Sequence, residues 1–492
     1  VDLLDVCQKN PIGIDVFRDM SGTTGLALFA GGQFFFVFDD GRQEFDELVV
    51  KILLGSRRKA IYDLKKLQHL GLSPVFISKI PWLYDIKTLF GGGESIFALA
   101  KKHLDENTHR EMIELDQRFS SHVRSAKTVG IDLTEHSMLK LIPGTFVQKM
   151  LKLRCHASLR LLDNIMETDL HGIVADWENE GLYLTTALME IEQNRIKVDV
   201  KLVEESLQRE QPPHLRKYFT NISLLEDDGF VHTRFVPYAT RTYRIGVDGT
   251  EGRVFNPLAI PKGVAREAIV SRHPDGEIYS IDLNAVDYRC IVASVDDPTF
   301  RERYESRRDF HMVNCLSVFG DQSRVTPELR SAIKALTYIS IYGGSIETAA
   351  ERSGLSEKNV RRVIEIFDRE LAPVHMLRTR LYETSQRSGY VELPDGRRIL
   401  TEKDDHPGKV LGLYAQGYSS LMFNRALVRI VENMRGRRSV VLFTVHDEVV
   451  LDVHPEETDV PSVVLSELQR AEFGWNLVAE ISKGKNYRDA TE

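Results

Sequence analysis

Three stretches of this sequence carry side chains whose types and spacing suit chemistry. In Val440–Val453 (VVLFTVHDEVVLDV), two β-branched apolar runs flank His446-Asp447-Glu448, the pattern of a hairpin with carboxylates at its tip. Buried strands hold such carboxylates rigidly, as metal ligation requires, although a plain hairpin with an acidic turn has the same pattern. A second carboxylate, Asp282, stands in Ile278–Arg289 (IYSIDLNAVDYR), where a strand is predicted to end at Asp282 and a helix to begin just after. Asp282 would then project from a strand edge, or serve as a helix N-cap. The third stretch is Arg330–Gly343 (RSAIKALTYISIYG). Thr326-Pro327-Glu328 supplies an N-cap residue, a proline at the first helical position and an early acid, which predicts a helix start. Arg330, Lys334, Tyr338 and Tyr342 then recur every fourth residue and share one face. Two cations followed by two aromatics suit a nucleoside triphosphate; an amphipathic helix with a charged end is the plainer alternative.

These side chains need a scaffold, and the rest of the sequence bounds it. A chain of 492 residues is long enough for about two to four domains. Hydrophobic residues at 42% and charged residues at 28% are ordinary for a globular protein. No apolar run approaches the ~20 residues of a membrane span, so no membrane partner is expected. The amino end is acidic and mixed rather than basic then apolar, so no signal peptide is expected, and Val1 in place of a start methionine suits a part of a longer product. Cys7, Cys155, Cys290 and Cys315 lie far apart with no CxxC pair. That predicts a reducing, intracellular compartment and argues against a zinc site or a disulfide framework. A formal net charge of −8 taken alone disfavours nucleic-acid binding, yet a basic groove can coexist with acidic outer faces. Basic clusters at Arg301–Arg308, Arg324–Lys334, Lys358–Arg362 and Arg435–Arg438 suit either such a groove or solvated helix faces.

Periodicity predicts a mixed α/β region first. Strands are expected at Ile12–Val16, Thr24–Phe29 and Gln33–Phe38, with turns at Ser21-Gly22 and Gly31-Gly32. Helical patterns follow at Glu44–Leu54, Lys59–Leu70, Ser95–Leu104 and Thr145–Ile165, then from Glu178 to Ser206 until Pro212-Pro213 interrupts. Strands return at Val231–Tyr238 and Glu277–Asp282, helices dominate from Val286 to Ser388, and a turn at Pro394-Asp395-Gly396 joins two short strands.

In order and style, Asp282, the Arg330–Tyr342 helix and His446-Asp447 resemble motifs A, B and C of the polymerase I family (family A) of DNA polymerases. The resemblance continues through Val231-His232-Thr233 to Thr240-Arg241-Thr242-Tyr243-Arg244, Asn256 to Pro261, Asp309-Phe310-His311, Val318-Phe319-Gly320, Gly389-Tyr390-Val391, Gly396-Arg397-Arg398 and Gln416-Gly417, covering residues 178–492. It implies a right-hand α+β polymerase fold: a reduced thumb over 169–230, a palm with an antiparallel sheet over 231–325 and 383–492, and helical fingers over 326–382. Asp282 and Asp447 resemble the two carboxylates that hold two Mg²⁺ ions, and Glu448 the auxiliary acid beside them. Arg330, Lys334 and His311 resemble triphosphate ligands, with Lys334 also placed to protonate departing pyrophosphate. Tyr338 would pack on the incoming sugar and Tyr342 guard the template base. Arg244 and Gln416 resemble probes of the primer–template minor groove, and His446 a primer-terminus contact. The implied partners are primer–template DNA, dNTPs and a processivity or replisome protein.

The departures from the family pattern carry expectations too. Asp287 stands where the family has Glu, which puts exclusion of a ribose 2′-hydroxyl in doubt. The family's Arg and Asn upstream of the Gln416 position fall near Gly408 and Gly412. Residues 1–168 resemble the family's ribonuclease H-like 3′–5′ exonuclease domain, with Asp15 in its first motif and Asp63 in its second. Phe17 replaces a required Glu, and Met150–Arg154 lies where the third motif wants Tyr and Asp. A vestigial domain without proofreading is expected. A polymerase-fold scaffold that only binds DNA, and a single-subunit RNA polymerase, are the alternatives to a DNA polymerase.

Overall fold

A computed structural model describes residues 3–18, 24–38, 43–89, 95–108, 110–114, 117, 144–168, 177–225, 227–248, 254–305 and 309–491. The Ser21-Gly22 turn and the Arg307-Arg308 end of one basic cluster lie outside them. The chain divides into two compact units, Val1–Glu190 with Phe235–Ala239, and Ile191–Arg234 with Thr240–Glu492. The first therefore runs past the boundary at 168 that the sequence suggested.

The first unit holds a five-stranded sheet in the order β3-β2-β1-β4-β5. Its strands are β1 Ile12–Arg18, β2 Thr24–Ala30, β3 Gln33–Phe38, β4 Lys59–Ile61 and β5 Leu83–Asp85. β1 pairs antiparallel with β2 and parallel with β4, and β4 pairs parallel with β5. Side chains of β1 alternate between two apolar clusters: Ile12, Ile14 and Val16 join one, and Phe17 joins Ala27, Leu151 and Cys155 in the other. Each such aliphatic side chain stabilises the unit by about 1.5–3 kcal/mol on burial. Helix α1, Gly144–Thr168, packs across β1, β2 and β4. It comes so near β1 that a Cβ on Gly13 would stand 2.0 Å from Cys155 O, so only glycine fits there. The helix expected over Lys59–Leu70 is corrected to strand β4 followed by a 3-10 helix, Leu64–Leu70. Leu64 and Leu67 do face the core, and their spacing misled the reading back into a strand that is fully buried as a central sheet member.

In the second unit, the pattern expected to be helical from Glu178 to Ser206 is broken by a short strand, Ile196–Lys197, which pairs with Phe230–Val231. Asp199 then caps helix α2, Val200–Gln208, accepting from Leu202 N. Helix α3, Pro213–Leu225, follows after four residues. The sequence suggested room for one or two turns beyond Gln211; the correction is thirteen helical residues, because Pro213 starts a helix rather than ending one. The central sheet has the order β7-β8-β6-β9, all antiparallel, with β6 Glu277–Leu283, β7 Val440–Val445, β8 Glu448–Val453 and β9 Ala479–Gly484. Between β6 and β7 come helices α4 Val286–Ala293, α5 Phe310–Phe319, α6 Pro327–Tyr342, α7 Ile346–Ser353, α8 Glu357–Glu370, α9 Ala372–Ser388 and α10 Pro407–Met434. The hydroxyls of Thr326, Ser345 and Ser356 cap α6, α7 and α8 through bonds to Leu329 N, Thr348 N and Asn359 N. Each cap contributes about 1 kcal/mol. Helix α10 is 28 residues long and buried along most of its length against α4 and α9.

Candidate active site

The hairpin joining β7 to β8 closes on two residues, His446 and Asp447, because Val445 pairs with Glu448. His446 takes the positive φ of 58° that a tight two-residue turn demands of its first member. Asp282 lies on β6, directly opposite Glu448 on β8 and Glu480 on β9. Its strand is therefore flanked on both sides, and Asp282 stands one residue before the strand's end at Leu283. The N-cap of α4 is Ala285, so Asp282 does not cap that helix. Leu283 N–H donates to Asp447 O at 3.2 Å and ties the hairpin tip to the end of β6.

The carboxylates crowd one another. The Asp282 side chain keeps contact with solvent, yet the surrounding protein desolvates its charge. That burial, then Asp447, Glu448 and Glu480, pushes its pKa up to about 7. Burial and then Asp287 also raise Asp447. Glu448 is engaged elsewhere: Ser280 Oγ donates to Oε1 at 2.6 Å and Tyr487 OH to Oε2 at 3.0 Å.

Helix α6 brings its row of side chains to the same region, as the four-residue spacing requires. Arg330 is gripped in bidentate fashion by Asp309, Nε to Oδ2 at 2.8 Å and Nη2 to Oδ1 at 2.9 Å. Lys334 is exposed and has no ion pair among the described residues. Tyr338 and Tyr342 stack at 6.1 Å with an interplanar angle of 4°. Burial raises the Tyr338 phenol, and Asp287 and Asp447 add to the rise, which sets this ring beside the carboxylates. His311 is 3% exposed, edge-on to Tyr338 at 5.6 Å, with Nδ1 lacking a hydrogen-bond partner. Burial, then Lys334 and Arg330, lowers its pKa to about 4, so it meets a ligand as a neutral imidazole.

Asp287, on the first turn of α4, accepts from Ser419 Oγ at 2.6 Å and from Arg244 Nη2 at 3.5 Å. Gln416 stands one turn before Ser419 on α10, its carbonyl accepting from Ser419 Oγ and Ser420 Oγ. One region thus gathers paired oxygen donors, exposed and half-exposed cations, and a stacked aromatic pair. Those are the parts for holding divalent cations against a phosphorylated ligand with a planar base.

The sequence model of DNA polymerase family A matches residues 181–489. This chain belongs to DNA polymerase family A. The DNA polymerase of Mycobacterium phage D29 is 25% identical over 243 residues, which are 49% of this chain and 39% of the relative. The thermostable DNA polymerase I of Thermus filiformis is 23% identical over 278 residues, 54% of this chain and 33% of the relative. The chain therefore spans well under half the length of these curated relatives. A solved structure, described as the POL domain of Pol1 from M. smegmatis in complex with DNA primer-template and dNTP, superposes with a TM-score of 0.74 at 16% identity. The match covers 98% of this chain and 96% of that one, and the likeness is one of fold.

The family match spans the central sheet of the second unit and helices α4 to α10. Sequence reasoning missed several neighbours of these acids: Glu480, opposite Asp282, and the two groups that hold Glu448, Ser280 and Tyr487. Glu480 also accepts from Asn284 Nδ2 at 2.7 Å. Period-2 counting from Asp282 would have flagged Ser280, but no local signal marks β9 as the neighbour of β6. Ser419, tied to Asp287, had no signal beyond being polar; Asp309, tied to Arg330, stood in the Asp309-Phe310-His311 motif but was given no role.

In the first unit, Asp15 is 2% exposed and pairs with Lys66 at 3.2 Å and Arg154 at 3.1 Å. Asp63 pairs with Lys87 at 3.5 Å. Burial and then Asp63 push Asp85 up to about 7, with Thr88 Oγ1 donating to it at 2.9 Å. Phe17 is buried edge-on to Phe36 and Phe38. Cations thus pair with Asp15 and Asp63, and Asp85 is a third acid close to Asp63.

No helix among the described residues is long and apolar enough to cross a membrane. The four cysteines are free thiols, all buried.

Proposed function

We propose that this chain is a template-directed DNA polymerase that adds dNMPs to a primer 3′-hydroxyl at a two-metal site, without proofreading. The observation that carries the reading is the meeting of Asp282, Asp447 and the Arg330–Tyr342 row in one region of a family A fold. The donor set suits Mg²⁺: both carboxylates offer hard oxygens, and both are pushed up by burial and by negative neighbours that a cation relieves. When bound, two such ions lower the cost of deprotonating the primer hydroxyl and neutralise the leaving group.

Asp282 and Asp447 hold those ions. Glu448, fixed by Ser280 and Tyr487, sets the electrostatics behind Asp282 and stiffens the hairpin. Arg330 and Lys334 bind the triphosphate, and Lys334 protonates departing pyrophosphate. Neutral His311 contributes an N–H donor. Tyr338 packs on the incoming sugar and Tyr342 on the template side. Arg244, Gln416 and His446 contact the primer–template, and Asp287 orients Arg244 from beneath. Extension of one primed template with dNTPs or with NTPs tests the reading. Growth with dNTPs supports it, growth with NTPs alone marks an RNA polymerase, and DNA binding without growth marks a scaffold.

Two further expectations attach to it. With Lys66 and Arg154 on Asp15 and Lys87 on Asp63, the first unit should assemble no pair of catalytic ions. The protein with Mg²⁺ should leave a mismatched primer 3′ end uncut; metal-dependent trimming that disappears in Asp15→Ala would refute this. The duplex grip offered by α2 and α3 is short, and its exposed Arg216 and Lys217 act through charge. Synthesis should be distributive and weaken steeply with salt, with a partner protein adding grip in the cell. Products hundreds of nucleotides long in a single-encounter assay with a DNA trap would show that no such partner is needed.

A further inference from the structure

The C-terminal end of α6 sits in a clamp that the proposed reaction leaves without a role. The last four carbonyls of an α-helix have no partner within the helix. In α6, Ser340 O and Ile341 O both accept from Arg378 Nη1, at 3.0 and 2.8 Å. Arg378 lies on α9, one turn beyond His375, whose Nε2 is 3.2 Å from Ser340 Oγ. Gly343 N–H closes the final turn on Ile339 O at 2.8 Å. Tyr342 O faces α10, where a Cβ on Gly408 would stand 1.5 Å away. The glycine lets the two backbones touch, and the Gly412 position one turn later lies 3.7 Å from the Tyr342 ring by the same measure. A guanidinium at this end also meets the negative pole of the helix.

We propose that Arg378 is a positioning residue for nucleotide binding, fixing the end of α6 so that Arg330, Lys334, Tyr338 and Tyr342 meet the Asp282–Asp447 carboxylates in register. This rests on the polymerase reading above. Arg378 acts through the helix backbone and touches no substrate. Its carbonyl partners immediately precede Tyr342 and lie within one turn of Tyr338. Arg330 is about 15 Å along the helix from them, so a tilt of about 4° at the clamp moves that end by about 1 Å. Misplacement on that scale costs on the order of a hundredfold when nothing else holds the helix. Here Asp309 holds the far end through Arg330, so a partial loss is expected.

The test titrates dNTP in primer extension by the full chain, comparing wild type with Arg378→Met and Arg378→Lys, alongside primer–template binding and thermal unfolding. Arg378→Met should raise KM for dNTP by about tenfold while kcat changes less than about threefold and DNA affinity holds. Arg378→Lys, whose ammonium can donate to the same carbonyls but lacks the planar guanidinium that aims Nη1 at both, should fall between, with KM up about threefold. If Arg378→Met does not fold, Arg378→Lys decides alone. A folded variant with lowered Tm but wild-type KM overturns the proposal. A wild-type chain that extends no primer overturns the polymerase reading, and this proposal with it.

Discussion

Asp282→Ala and Asp447→Ala should each abolish primer extension, by at least about a thousandfold, because in the proposed reaction both carboxylates would be needed to hold the metal ions. The two acids come from different elements, an inner strand and a hairpin tip, joined through the Leu283–Asp447 backbone bond. Neither can substitute for the other. DNA binding should largely survive, since phosphate contacts from cations supply most of such affinity. Removing one carboxylate also relieves crowding on the partner, so neither variant should be destabilised. Extension rates by quenched flow, with binding by anisotropy and unfolding by calorimetry, check the separation. Near wild-type extension by either variant would show the site assignment to be wrong.

Tyr338→Phe should make the enzyme reject dideoxynucleotides by about ten- to a hundredfold relative to wild type, the range expected when a desolvated site loses one hydrogen bond. The Tyr338 ring is fixed between Tyr342 and His311, and its hydroxyl makes no hydrogen bond among the described residues. In the proposed reaction Tyr338 packs on the incoming sugar, where its free donor can replace the bond that a missing 3′-hydroxyl no longer makes. Wild type should therefore incorporate dideoxynucleotides readily. Competition between a dNTP and its dideoxy form on one template measures the ratio. The same ratio for both proteins would remove Tyr338 from sugar selection.

The sequence was most legible where periodicity and chemistry coincide. Thr326-Pro327-Glu328 marked the start of α6, and four-residue spacing put Arg330, Lys334, Tyr338 and Tyr342 on one face, as found. The runs around His446-Asp447-Glu448 read as a hairpin because β-branched residues alternate with a polar tip, and the register bears this out. What stayed illegible depends on distant pairing. The neighbours of Asp282 are set by which strands flank β6, and nothing near Ala479–Gly484 announces that it does so. Local signals also misled: Pro212-Pro213 looked like a break and is a helix start, and Lys59–Ile61 borrowed a helical period from the leucines that follow. The partners that hold Arg330, Asp287 and Glu448 are tertiary choices that single residues do not encode.

The layout of the sheet that carries Asp282 bears on the order of synthesis. Ser280 on β6 and Glu448 on β8 are bonded across 168 positions, and β9 is later still. A ribosome adding about 5–20 residues per second would deliver β6 roughly 10–30 s before its first partner strand. Through that interval a strand with Ile278, Ile281 and Leu283, each destined for the core, has both edges open. The intervening helices, with their local contacts and hydroxyl caps, can form meanwhile and shelter it. Conditions that slow elongation between α4 and β7 thus lengthen exposure of the strand that bears Asp282, and aggregation during expression should respond to that timing more than to the stability of the finished sheet.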